Sequence, residues 1–477
     1  MIVIPEGAHI HLIAICGTAM GSLAGMLRQS GYRVTGSDAR VYPPMSDFLR
    51  SAGIDVVEGF DAAHLHPRPD LVIVGNAVSR GNPEVEETLN QRLPFASLPE
   101  VLRDFYLRAS NPIVVTGTHG KTTTTAMIAH LLSQCGLDPS YLIAGITRDF
   151  PQPFHLGTGT HFVIEGDEYD SAFFAKQAKF LFYLPQLVLI NNIEYDHADI
   201  YPDLDHIEAS FRQLINSIPG AGLLVANHDD PVVGGLLPRS LAPVQTFGLS
   251  PSAEWSASNI ETTGHYVSFS LCRHSCEVPG GRFELALTGT HNVRNALGAI
   301  VTATHLGLEL RSLVEALSTF KGVERRQQVI AQTASITLID DFAHHPTAVD
   351  ETLAGLRQAY PQRRMWAVFE PASASNARRI FEDRYVTALG WADRVVLAAV
   401  PRPERSGDEE PFSSERVAKA LRANGTEAVF APTTEDITRM LESDMEHGDV
   451  VVFMSNGGFG GIQRRACEIL QARTAAG

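Results

Sequence analysis

Cysteine is scarce: five in 477 residues, at positions 16, 135, 272, 276 and 467. An odd, scattered set is no disulfide framework, so reduced thiols and a cytoplasmic location are expected. Cys272 and Cys276 flank His274, but no second thiol pair lies nearby, which argues against zinc. No apolar run approaches the roughly 18 residues of a membrane span, and no membrane partner is expected. The start, Met1-Ile-Val-Ile-Pro5, lacks the basic residues of a leader. Positive charge is short as well: 38 Lys and Arg face 54 Asp and Glu, a net charge of −16. That excludes nucleic acid as the main partner. Backbone amides and a few cations can still hold phosphates. Repeats and low-complexity tracts are missing. So is Asn-Lys-x-Asp, which argues against a GTPase. Oligomeric state is left open.

What is present is a phosphate cradle. Ile113 to Thr116 reads as a strand, and Gly117-Thr-His-Gly-Lys-Thr-Thr123 follows as a glycine-rich turn. Thr124 to Gln134 then reads as a helix. Glycines let backbone N–H groups point inward, Lys121 reaches terminal phosphates, and the Thr122 hydroxyl suits Mg2+. The general pattern asks for a glycine at position 115, where this chain has valine. The loop is therefore a shortened variant.

Strand and helix patterns alternate along the chain, so the expected class is α/β with three domains. The first, 1–109, is Rossmann-like. Its strands are His9–Ile15, Tyr32–Gly36 and Leu71–Val74, with a helix from Met20 to Ser30. The turn after the first strand carries Gly17, Gly21 and Gly25 without the Gly-x-Gly-x-x-Gly spacing. Asp38 ends the second strand, where an acid meets a ribose in dinucleotide folds. A nucleotide pyrophosphate near Gly17, Thr18 and Ala19 is one reading, and a plain tight turn with a surface aspartate is the other. The second domain, 110–321, is a P-loop ATPase-type parallel sheet entered through a linker at Asn111-Pro112. The third, 322–477, is again Rossmann-like. Segment 401–412 reads as a polar loop.

Several strand ends carry chemistry-bearing residues. Glu165-Gly-Asp167-Glu168-Tyr-Asp170 packs four carboxylates into six residues, which repel unless a cation intervenes. Glu168 is the first candidate for a metal. Asn192-Ile-Glu-Tyr-Asp-His197 repeats the situation, with His197 a candidate for Mg2+ or substrate. His291, Asn292 and Asn295 either present amides to an adenine ring or cap a helix. Arg326 is a candidate for the γ-phosphate. Asp341 and His344, in Asp340-Asp-Phe-Ala-His-His-Pro346, sit at another typical site edge.

Together, Thr116–Thr123, Glu165–Asp170, Asn192–His197, His291–Asn295, Glu324-Arg-Arg326 and Asp340–Pro346 resemble the ATP-dependent Mur ligase family, in the family's order. The resemblance implies ATP and Mg2+ as cofactors. It implies ATP contacts from Gly117, Thr118, His119, Gly120, Lys121, Thr122, Thr123, His291, Asn292, Asn295, Arg326 and Asp341. Thr122, Glu168 and His197 are implied as metal ligands, and Lys121, Glu168, His197 and Arg326 as the catalytic set. Gly17, Thr18, Ala19, Asp38, Asn76 and Ala77 would hold a UDP-sugar. His344, Ser373, Arg378 and Arg379 would meet a peptide, and the third domain would close over ATP.

Segments such as Tyr42-Pro-Pro-Met-Ser46, Ser171-Ala-Phe-Phe174 and Met454–Gly461 are most similar to one branch of the family. That branch joins L-Ala-γ-D-Glu-meso-diaminopimelate to UDP-N-acetylmuramate through an acyl phosphate, in peptidoglycan recycling. The alternative is the relative that adds L-alanine to the same sugar, for which a Gly-Ile-Gly-Gly first turn is expected; here it is Ile15-Cys-Gly-Thr18. Two departures stand out. Ala372 occupies the place of an expected arginine in Glu370-Pro-Ala-Ser, so either Arg378 or Arg379 substitutes or the peptide preference differs. His206-Ile-Glu-Ala-Ser-Phe211 holds no lysine for carbamylation, which fits the muramate-binding branches.

Overall fold

The computed structural model describes residues 1–42, 45–372, 378–401 and 411–476. Ser373 and most of segment 401–412 lie outside them. Among the described residues no helix is long and apolar enough to cross a membrane. Compactness divides the chain into two units. One holds Met1–Glu194, Leu204–Trp255 and Gly298–Leu313; the other holds Tyr195–Asp203, Ser256–Leu297 and Val314–Gly477.

The N-terminal sheet has five parallel strands: β1 (His9–Ile13), β2 (Arg33–Asp38), β3 (Asp55–Glu58), β4 (Leu71–Val74) and β5 (Phe95–Ser97), ordered β3-β2-β1-β4-β5. β1 and β4 are buried at every position. That is why they read as unbroken apolar runs: helices cover both faces of a parallel sheet. Strand order reverses at β1, so a crevice opens beyond its carboxyl end. Helix α1 (Thr18–Gln29) starts there, followed by α2 (Met45–Ser51), α3 (Pro83–Asn90) and α4 (Leu98–Phe105). Two of the three glycines after β1 serve packing. A Cβ on Gly25 would lie 2.7 Å from the Phe154 ring, and one on Gly21 would overlap Met45.

In the same unit, the central sheet runs through β6 (Asn111–Thr116), β7 (Ser140–Leu142), β8 (Phe154–His155) and β9 (His161–Gly166). A short hairpin follows, β10 (Asp170–Ala172) with β11 (Ala175–Ala178), then β12 (Leu187–Ile190), β13 (Leu223–Asn227) and β14 (Val244–Gly248). The order is β8-β7-β9-β6-β12-β13-β14, parallel except for β7 with β8. The expected linker Asn111-Pro112 is instead the start of β6, where the Asn111 N–H donates to Thr160 O at 2.7 Å. A proline near the start of a strand costs little of the ladder. Helix α5 (Lys121–Gln134) is buried on nearly every side. It contains four consecutive threonines, poor helix formers. Packing overrides that preference: the Thr125 hydroxyl bonds Lys121 O at 2.8 Å, and Thr124 Oγ1 accepts from Asn191 at 3.1 Å.

In the second unit, apart from the first residue Trp255, Trp255–Thr263, Tyr266–Arg273 and Cys276–Leu285 supply successive neighbouring strands, the last two antiparallel. The C-terminal sheet comprises Gln328–Gln332, Thr337–Asp341, Met365–Phe369, Arg394–Ala398, Glu427–Ala431 and Val450–Met454. The last of these inserts between Thr337–Asp341 and Met365–Phe369, so three strand ends carrying Asp341, Phe369 and Met454 lie at one level.

Candidate active site

The phosphate loop leaves β6 at a reversal of strand order, with β12 alongside. Its glycines are conformational necessities. Gly117 has φ +131°, and a Cβ there would lie 2.9 Å from the Asn192 backbone. Gly120 has φ +79° and caps α5 without a side-chain hydrogen bond. The first N–H groups of a helix have no partners within it, so this uncapped end suits phosphate oxygens. β12 braces the loop. Thr118 N donates to Asn192 O at 2.9 Å and His119 N to Asn192 Oδ1 at 2.7 Å. Glu194 N donates to Thr118 Oγ1 at 2.8 Å.

Lys121 folds back over its own loop. Nζ donates to Gly117 O at 2.6 Å and to both oxygens of Glu168 at 2.9 and 2.8 Å. Burial alone would lower its pKa, but Glu168 and Asp167 more than offset that and raise it. The ammonium is charged and already desolvated. Thr122 Oγ1 donates to Glu165 Oε2 at 3.0 Å. The partner of the expected metal-binding hydroxyl is thus Glu165, while Glu168 holds the lysine.

The four clustered carboxylates coexist by dividing their partners. Asp167 pairs with Lys179 at 2.6 Å and Asp170 with Lys176 at 2.5 Å. The hydroxyl and carboxylate oxygens around Thr122 are hard donors of the type Mg2+ takes.

The turn after β1 is built without a lysine. Gly17 caps α1, again without a side-chain bond, and a Cβ there would meet nothing within 4 Å. Thr18 and Ala19 open the helix. Cys16 N donates to Asp38 Oδ2 at 2.8 Å, and Ile15 N to Ser37 O at 3.0 Å. Burial and the Asp38 charge push the Cys16 thiol up to about 11, so it stays neutral. Asn76 Oδ1 is buried and without a hydrogen-bond partner, and Ala77 beside it is exposed.

The remaining expected residues belong to the second unit. His197 takes φ +53°, a costly conformation for a non-glycine residue, and its N–H donates to Asp196 Oδ1 at 2.7 Å. Arg378 bonds the same segment, donating to Tyr195 Oη at 3.1 Å and Ala198 O at 2.8 Å. Arg379 is exposed. Asp341 is buried and accepts from Gln327 N and Ala343 N, both at 2.7 Å. Burial raises its pKa against the pull of Arg326.

Arg325 and Arg326 flank the Phe342 ring at 5.1 and 4.8 Å. Arg325 also donates to Ser455 O at 2.6 Å and Gly457 O at 2.8 Å, so it braces the backbone. His344 Nδ1 lies 2.9 Å from Phe342 O. A carbonyl only accepts, so Nδ1 carries the proton and Nε2 presents its lone pair. Burial lowers the His344 pKa to about 4, with Asp196 opposing.

In the helix Thr290–His305, Asn292 Nδ2 donates to Thr288 O at 2.8 Å and Asn295 Nδ2 to Asn292 Oδ1 at 3.3 Å. Their amide N–H groups thus bind locally. His291 Nδ1 is buried and without a hydrogen-bond partner.

The structure therefore gathers Lys121, Thr122, Glu165 and Glu168 at one loop, and Asp38 with the Gly17 turn at another. Of the expected metal set, His197 belongs to the other unit. Sequence reasoning missed the bracing by Asn192. An asparagine pair directly after a buried strand was the available signal.

Comparison with known proteins follows this geometry. The model described as "Mur ligase family, catalytic domain" matches residues 9–109. "Mur ligase middle domain" matches 115–303 and "Mur ligase, glutamate ligase domain" matches 325–457. The chain is 38% identical to the Escherichia coli UDP-N-acetylmuramate--L-alanyl-gamma-D-glutamyl-meso-2,6-diaminoheptandioate ligase, over 98% of this chain and 99% of that one. An Acidovorax UDP-N-acetylmuramate--L-alanine ligase is 35% identical, covering 97% of this chain and 96% of its own. The crystal structure of a murein peptide ligase from Psychrobacter arcticus matches with TM-score 0.73 and 36% identity, covering 97% of this chain and 99% of that one. The chain belongs to the Mur ligase family, with its three-domain α/β fold.

Proposed function

We propose that this protein is the ATP-dependent ligase that joins L-Ala-γ-D-Glu-meso-diaminopimelate to UDP-N-acetylmuramate, in cytoplasmic peptidoglycan recycling. The observation that carries this reading is the 38% identity, over nearly the whole of both chains, to a ligase named for that tripeptide. Segment 1–109 would serve the UDP-sugar, 110–321 ATP, and 322–477 the peptide.

A carboxylate does not form an amide with an amine unaided at neutral pH. The muramate carboxylate attacks the γ-phosphorus of ATP, the β,γ P–O bond breaks with release of ADP, and the peptide's free α-amine then attacks the acyl phosphate with release of phosphate. Charge at the transferring group must be neutralised and water kept away. Lys121 is suited to the first task, since its ammonium stays charged and needs only to move from Glu168 to phosphate oxygens. The Gly117–Gly120 backbone and the uncapped start of α5 hold the phosphate chain. Mg2+, when bound, would be held by Thr122, Glu168 and His197, with Glu165 on the Thr122 hydroxyl, and would neutralise phosphate charge. Arg326 would meet the γ-phosphate. Asp38 would accept from a sugar hydroxyl, and Asn76 Oδ1 offers a second acceptor. His344 and Arg378 would meet the peptide; Arg378 stands in for the arginine that Ala372 replaces.

The rival is the family's L-alanine ligase activity. Purified protein with UDP-N-acetylmuramate, ATP and Mg2+ is offered L-alanine or the tripeptide as sole acceptor, and ADP release is followed. Turnover with tripeptide alone supports the reading; turnover with L-alanine alone overturns it.

A further inference from the structure

Glu84, the second residue of α3, is a carboxylate with no part in the chemistry above, and it is fully buried. A carboxylate in such a place is costly unless its oxygens are bonded. Oε1 faces His64 Nδ1 at 2.7 Å and accepts from the Asp61 N–H at 3.4 Å. Oε2 accepts from the Ser37 hydroxyl at 2.5 Å and faces His11 Nε2 at 3.3 Å. Burial opposes the charge, but bonds from His11, Ser37 and His64 together hold Glu84 below the usual carboxylate range.

An ionised carboxylate only accepts, so both imidazoles donate to it. The contacts continue into the sheet. His11 Nδ1 lies 2.9 Å from Thr35 Oγ1. The same oxygen lies 2.9 Å from His9 Nε2. Side-chain contacts thus run from β1 through β2 to α3.

The network ends beneath the proposed nucleotide turn. Ser37, held by Glu84, also accepts the Ile15 N–H on its carbonyl. The next residue, Asp38, accepts the Cys16 N–H. α3 itself begins shortly after Asn76-Ala77. One buried carboxylate, on the helix that follows Asn76-Ala77, therefore holds the residue next to Asp38, whose carbonyl in turn meets the start of the Gly17 turn.

We propose that Glu84 is a positioning residue for the UDP-sugar, fixing the end of β2 through Ser37 and thereby the Asp38 carboxylate and the Ile15–Gly17 turn. The inference rests on the ligase reading above and deepens it.

The test compares the wild-type chain with Glu84→Gln and Ser37→Ala, each checked for folding by thermal melting. Glu84→Gln is expected to raise KM for UDP-N-acetylmuramate about tenfold, the loss typical of one hydrogen bond to a charged group. Its kcat and its KM for ATP should stay within about twofold, because phosphate-loop geometry is unaltered. Ser37→Ala should move the same constant by a smaller factor.

Calorimetric titration of UDP-N-acetylmuramate should show the same weakening. Equal affinity of wild-type and both variants for the UDP-sugar overturns the inference. So does a loss spread evenly over kcat and both KM values, which marks general destabilisation. If Glu84→Gln does not fold, unchanged UDP-sugar affinity in Ser37→Ala is decisive on its own. Failure of the wild-type protein to bind UDP-N-acetylmuramate overturns the functional reading itself, a separate outcome.

Discussion

Gly17 follows the first strand of the N-terminal sheet and Gly117 the first strand of the central sheet. Each turn leads to a helix whose N-cap makes no side-chain hydrogen bond. The resemblance ends there. Gly117 needs its glycine for backbone reasons: a positive φ and a wall of Asn192 where a Cβ would be. Gly17 has an ordinary φ of −68° and open space beside it. Its glycine leaves room rather than permitting a conformation. The Gly117 loop carries Lys121, pinned to Glu168. The Gly17 turn carries no cation, only a neutral thiol and the Asp38 carboxylate tied to Cys16. The Gly17 turn is equipped to hold a hydroxyl-bearing ligand still, and the Gly117 loop to neutralise charge that moves.

That contrast can be broken from the phosphate-loop side first. Lys121→Ala removes the charge and is expected to cut ADP release by about 10³-fold, as for other transition-state donors, while calorimetric UDP-sugar binding is retained. Full turnover by this variant would sink the assignment of the loop.

Glu168→Gln leaves the lysine without its ionised partner. The expected loss in kcat is about 10²-fold, the lower range for removing a positioned charged group. Binding of Mg2+ with a non-hydrolysable ATP analogue, followed by calorimetry, should weaken in parallel. Unchanged metal dependence would move the ligand role to Glu165.

Asp38→Ala addresses the other turn. It should weaken UDP-N-acetylmuramate binding about tenfold, the value of one charged hydrogen bond, with kcat nearly intact. A kcat loss as large as that of Lys121→Ala would show that the two turns do not divide the work as described.

The smallest effect concerns Cys16. Its pKa is raised to about 11, so the reactive thiolate is scarce below pH 10 and grows as pH rises toward that value. Alkylation followed by peptide mass mapping at pH 8 should label exposed Cys276 well before Cys16. Fast labelling of Cys16 at pH 8 would mean a charged first turn.

Much of this was readable in one dimension because the causes are local. Gly117 and Gly120 occupy conformations that glycine adopts at no steric cost, so their spacing carries the loop. Parallel strands buried on both faces become apolar runs, and β1, β4, β6, β12 and β13 stand out for that reason. Asp55–Glu58 and Phe95–Ser97 escaped notice because they are short edge strands with exposed positions. The acidic run Glu165–Asp170 was visible as a conflict of charges. Its resolution was not, since it depends on which lysine reaches which oxygen.

By itself, then, the sequence determined the α/β class, the phosphate loop and the family. These rest on backbone conformation and hydrophobic period, which neighbours along the chain impose. The tertiary structure alone decided the partners: Lys121 with Glu168, Thr122 with Glu165, Arg325 with the Ser455 backbone, and Glu84 with His11, Ser37 and His64. Such pairs are set by strand order and by the contacts of buried polar atoms, whose need for a partner is strong and whose choice of partner is not written in their spacing.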